Sequence, residues 1–150
     1  MSGASTAAPR RFASADEWRA LAANFEAGHV PHGDWDHGAH LAMGVWYLLW
    51  HDFDTALDRV RRGIQALNAH HEAEGATIRV GYHETLTRLY MVLIHRALAR
   101  HSHATPLVDV LNAVIEELND RSIPFRYYTN ERLFSREARA DFVPPDVAPL

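Results

Sequence analysis

The sequence predicts an all-α protein: an up-and-down bundle of about five helices, with a short extra helix and an extended tail at the C-terminus. Three observations predict it. Apolar residues recur at three- and four-residue spacing in five segments. Capping residues stand before those segments, and glycine or proline stands behind them. Val, Ile and Thr nowhere alternate as they would in a strand.

The elements follow in order. Residues 1–13 read as a flexible arm and 14–150 as one helical domain. Ser14 caps a first helix, with Asp16 and Glu17 in its first turn and Trp18, Leu21, Ala22 and Phe25 on one face. Gly28 ends it, and a loop broken by Gly28, Pro31 and Gly33 follows. Asp36 is the natural cap of a second helix ending near His51, and the run from Leu41 to Trp50 reads as its buried part. Asp54 opens a third helix, with Leu57, Val60, Ile64 and Leu67 inward and Gly75 past its end. Gly81 starts a fourth, through about His101. Pro106 opens a fifth, which ends before Pro124. A short sixth is expected from Ser135 to Phe142, and "VPPDVAPL" reads as an extended tail.

Composition narrows the function classes. A net charge of -4 leaves no basic footprint for nucleic acid. The absence of cysteine removes thiolate metal sites and a cysteine nucleophile. The run from Leu41 to Trp50 is too short to cross a membrane, and "MSGASTAAPRRF" carries no apolar signal core, so a cytoplasmic protein is expected. Four tryptophans are compatible with an aromatic homodimer patch and equally with burial. The unusual count is eleven histidines against fifteen Lys plus Arg. Histidine is the commonest metal ligand and the natural acid or base near neutral pH.

In an up-and-down bundle, helices two apart in sequence run parallel. The second and fourth helices then start at one end, which brings His37 and His40 beside His83 and Glu84. The same end receives His29, His32, His70 and His71 from the neighbouring segments, and "FRYYTNER" after the fifth helix. His37 and His40 lie about 60° apart on a helical wheel, close enough to chelate one ion. Three imidazoles with a nearby carboxylate suit a divalent transition metal, zinc or iron, that activates water or polarises an oxygen. The first expectation is therefore a metal-dependent hydrolase or oxidoreductase acting on a small anionic metabolite. In it His37, His40 and His83 are ligands, and Glu84 and Tyr82 are catalytic. Arg132 and Arg139, with Tyr127, belong to a C-terminal segment read as a lid that holds a carboxylate or phosphate.

Plainer readings accompany each of these. His40 can pack on Trp35 as a hydrophobic staple. Glu84 can serve the helix N-terminus or pair with Arg88, and His83 can be a hydrogen-bonded core residue. Ser135 alone explains its charge-rich helix as a cap. On those readings the alternatives are a metal-free lyase, isomerase or cyclase using His and Glu, or a non-enzymatic ligand-binding or interaction module. No phosphate loop, GxSxG, GxGxxG or HExxH pattern is present.

The blocks "WDHGAHLAMGVWYLL", "GYHETLTRLY" and "RLFSREARADFVPPDVAPL" resemble those of an uncharacterised bacterial family of small helical proteins. The resemblance covers most of Phe25 to Leu150. It implies a small helical fold and carries over no activity, cofactor or site residue.

Overall fold

The structure, a computed structural model, describes residues 8–78 and 81–150. It is all-α, as the periodicity predicts. Five main helices are α1 (Ala15–Glu26), α2 (His37–Trp50), α3 (Phe53–Ala73), α4 (Glu84–Ala99) and α5 (Leu107–Glu117). Two short ones follow, α6 (Asn130–Leu133) and α7 (Arg136–Ala140).

Local chemistry sets the boundaries. Ser14, Asp36 and Ser135 cap α1, α2 and α7 through their side-chain oxygens, as the sequence suggests. Gly28 and Gly75 follow α1 and α3 with φ of +73° and +95°, the left-handed turn that glycine accepts without strain. Two starts differ from expectation. The cap of α3 is Asp52, whose carboxylate accepts from the Thr55 amide, so the helix begins before Asp54. The cap of α4 is His83, so that helix begins later than Gly81. The sequence pattern also passed over α6, a single turn capped by Thr129.

The apolar helix α2 occupies the centre, packed against α1, α3, α4 and α5. Leu41, Ala42, Met43 and Val45 are fully enclosed, with Trp18 of α1 donating its indole N–H to Ala42 O at 3.1 Å. No helix of the described residues is long and apolar enough to cross a membrane.

The described residues before α1 and the C-terminal tail both lie against this bundle. Residues 1–7 of the expected arm are outside the described residues. The remainder is docked, which corrects the reading of a flexible arm. Phe12 is buried, and its backbone exchanges two hydrogen bonds with the Asn112 side chain, at 2.8 and 2.9 Å. Arg10 crosses α2 at Gly38, where a Cβ would come within 2.5 Å of the Arg10 Cβ. At the other end, the Tyr128 hydroxyl donates to Val143 O at 2.6 Å, and Thr129 binds the Asp146 carboxylate. The tail is extended, as expected, but it is tied down along its length.

One glycine tests the packing at the centre. Gly63, on α3, faces the ring of Phe25, and a Cβ there would fall inside contact distance of that ring. Phe25 is held by Trp35 stacked at 5.1 Å and by Tyr47. Glycine to alanine in a helix ordinarily stabilises by about 1 kcal/mol. Here the overpacking term opposes it at about 1–3 kcal/mol. Gly63→Ala is therefore expected to lower stability, measured by urea denaturation.

Candidate functional site

The end of the bundle where α2 and α4 begin is hollow. A cavity of about 710 Å³ opens there, within the range of small-molecule sites. Its deep part is apolar, formed by Leu41, Val60, Ile64, Met91 and Ile94. Polar groups share the lining: His37 and His40 of α2, His71 of α3, Tyr90 of α4, and Arg121. His32 and His83 also line it. Parallel placement of alternate helices thus brings five histidines to one cavity.

The hydrogen bonds of those rings determine what each can do. A backbone carbonyl can only accept, so the ring nitrogen beside it carries the proton. His37 Nε2–H donates to Leu118 O at 2.9 Å, leaving Nδ1 with its lone pair. His40 Nδ1–H donates to Asp36 O at 2.8 Å, leaving the lone pair on Nε2. His40 also packs on Trp35, ring centroids 4.1 Å apart, as the staple reading describes. Burial lowers the pKa of both rings; for His40 it reaches about 4. Arg121, exposed at the mouth, pushes both the same way. Tyr90 lies edge-on to His37 at 5.1 Å, and burial raises its phenol to about 12.

His83 has a different role from the expected ligand. Its Nε2–H donates to Leu133 O at 2.7 Å, and its Nδ1 accepts from the Leu86 amide at 3.1 Å. Both nitrogens are occupied. The ring caps α4 and ties α6 to it, so no lone pair remains for a metal or a proton. Burial lowers its pKa as well.

Glu84 is not among the residues that line the cavity, although Tyr82 is. Its two oxygens accept from Arg61 Nε and Nη2 at 2.8 and 2.7 Å, a bidentate pair. The Tyr82 hydroxyl donates to Glu84 at 2.7 Å. The Arg61 guanidinium holds this carboxyl below its ordinary range, and burial raises the Tyr82 phenol. The structure thus gives Glu84 and Tyr82 a bracing role between α3 and the loop before α4. Among the described residues, no group of three or more His, Asp or Glu is placed to hold a metal ion.

The C-terminal residues are likewise placed elsewhere. Arg132 Nε donates to Pro144 O at 2.7 Å, and Arg139 Nη1 reaches Gly81 O and Tyr82 O at 3.4 Å. Tyr127 accepts from the Val147 amide. None of the three lines the cavity. The two arginines are spent on carbonyls as ties, so the expected anion contact is not formed by them, while Leu133 and Phe134 of the same segment do line the cavity.

Of the cavity residues, the sequence reading placed His71 at this end and Tyr90 on the inward face of the fourth helix without giving either a role, and it passed over Arg121. His71 had a visible signal. It continues the inward series Ile64, Leu67 at helical spacing, so it belongs to the buried stripe of α3. Tyr90 shares the His83 face. Arg121 follows α5 in a segment without periodicity, and nothing in the pattern points to it.

No family model, curated protein or solved structure matches this chain.

Two predictions follow from the geometry. His37, His40 and His83 all have folded pKa values below 6.5, so the native state binds fewer protons than the unfolded chain once pH falls below that value. Stability is then full above pH 6.5 and falls with pH. A melting temperature that drops between pH 6.5 and about 5, above the range where most carboxylates titrate, is expected by circular dichroism. Glu84→Ala should cost about 2–3 kcal/mol of stability, the range for a charged hydrogen-bonded pair. Chemical denaturation of the purified variant measures it.

Proposed function

We propose that the end cavity binds a small amphipathic molecule with an anionic head and that the protein performs metal-free acid–base chemistry on it. The observation that carries this reading is the cavity itself. An apolar interior of adequate size meets imidazoles with lone pairs, beside a guanidinium that forms no ion pair with a described residue. Convergent polar groups in an apolar pocket are the ordinary form of a small-molecule site.

The extent of burial chooses between the bases. A general base works best with a pKa near the working pH. His40, at about 4, is neutral at pH 7 but a weak base. His37, whose pKa burial lowers less far, is the better acceptor, through Nδ1. Tyr90, beside it and protonated at neutral pH, is the group that returns a proton. Arg121 holds the anionic head. The chemical class is a proton shift within the bound molecule, as in a lyase or an isomerase.

Two measurements test this. Octanoate should bind saturably by calorimetry. Arg121→Ala should weaken it about tenfold, equivalent to about 1.4 kcal/mol, with the melting temperature of the free protein unchanged because Arg121 is exposed. For the chemistry, the protein should accelerate exchange of the C3 protons of 2-oxooctanoate into D2O, and His37→Gln should abolish the acceleration. Failure of octanoate and of its hydroxylated analogue alike to bind overturns the pocket. The metal reading keeps one supporting observation: His37 and His40 each have one nitrogen tied to a carbonyl, as metal ligands commonly do. A thermal shift with Zn²⁺ that is lost in both His37→Ala and His40→Ala would favour it instead.

A further inference from the structure

His71 is enclosed, 4% exposed, on the cavity wall. Its Nε2–H donates to Val30 O at 2.7 Å, which fixes the tautomer and leaves Nδ1 as an acceptor. That Nδ1 is buried and has no hydrogen-bond partner among the described residues. An acceptor left in this state costs about 1–3 kcal/mol, and buried polar atoms in native proteins are overwhelmingly paired. The bond to Val30 accounts for one nitrogen and explains nothing about the other.

The surroundings offer a route to it. The ring packed edge-on against His71, at 5.1 Å, is His32. His32 is exposed and sits on a three-residue turn, His32–Asp34, so its side chain turns without disturbing a helix. Asn68 lies one turn earlier on α3 and lines the same stretch of wall. His37, Tyr90 and Arg121 come from other elements, α2, α4 and the segment after α5. The walls therefore hold a cationic group, Arg121, and at His71 an acceptor buried beneath the surface, which a bound molecule reaches when His32 turns aside.

We propose that His71 is a specificity-determining residue of the cavity, its Nδ1 accepting a hydrogen bond from a hydroxyl of the bound molecule. The inference rests on the pocket reading above and narrows it. The ligand is a hydroxylated acid, with its carboxylate at Arg121 and its hydroxyl at His71, rather than a plain fatty acid. A site built to pair with a substrate hydroxyl discriminates strongly against the analogue lacking it, because the buried partner is then left unpaired.

Matched probes test this on the full chain. Hexanoate is compared with 6-hydroxyhexanoate, and octanoate with 8-hydroxyoctanoate, by calorimetry. Two lengths are used so that the hydroxyl samples two depths. In the wild type, one hydroxylated probe at least should bind about fivefold or more tighter than its parent. His71→Leu should erase that preference while still binding the parent acid. A second measurement does not depend on the variant folding. In protein labelled with ¹⁵N-histidine, the His71 Nδ1 resonance should move on adding the hydroxylated probe and stay in place with the parent. Equal affinities within both pairs, a preference that survives His71→Leu, or an unmoved Nδ1 resonance would each overturn the role of His71 and leave the pocket reading intact. If none of the four acids binds, the pocket reading fails and this inference fails with it.

Discussion

The burial of α2 is the constraint on which the structure depends. A helix carrying Leu41, Ala42, Met43 and Val45 on adjoining faces cannot present a polar side to water. It must be surrounded, and four other helices surround it. Close approach is possible because α2 carries small residues where neighbours press in. Gly38 admits the N-terminal strap at Arg10, and Gly44 faces Ile94 and Met91 of α4. Only the first turn of α2 is polar. The cavity therefore opens at that turn, where surrounding helices cannot close over an apolar surface.

The histidines at this mouth follow a common rule. His37, His40 and His71 each spend one N–H on a backbone carbonyl: Leu118, Asp36 and Val30. Those bonds fix ring orientation and tautomer without any acidic partner. Carbonyl acceptance favours the protonated ring, but burial is the larger effect for His37 and His40, and both remain neutral near pH 7. The result is a set of lone pairs held in place by the fold. His83 obeys the rule on one side and breaks it on the other. Its second nitrogen is consumed by the Leu86 amide, because His83 is the residue that α4 uses as its cap.

That detail marks how far the sequence could be read. The helices were legible because capping side chains and apolar spacing act locally: Ser14, Asp36, Ser135 and the Trp18 to Phe25 face are all placed as their chemistry predicts. The gathering of histidines at one end was legible too, since it follows from the parallel run of alternate helices. What each ring bonds to was not. Leu133 O lies 50 residues from His83, and Leu118 O lies 81 residues from His37. Arg61, the partner of Glu84, is 23 residues away on α3, while the nearer Arg88 was the visible choice. Such partners are set by tertiary packing, and wheel geometry on one helix cannot supply them.

The C-terminal segment completes the argument about access to the cavity. Its ties run from Arg139 to the carbonyls of Gly81 and Tyr82, from Thr85 to Asp141 and Val143, and from Arg132 to Pro144. These bonds hold the loop before α4 and α4 itself against α7, and they leave the opening to other residues. Phe125 and Phe134 line the cavity, are 44% and 49% exposed, and lie 6.2 Å apart. An apolar ring in water is costly unless something covers it, at about 25 cal/mol per Å². Two such rings on the rim of an apolar cavity are where a molecule entering the proposed site would first recover that energy. The C-terminal segment thus supplies one of those rings, Phe134, while its polar ties hold it in place against α4.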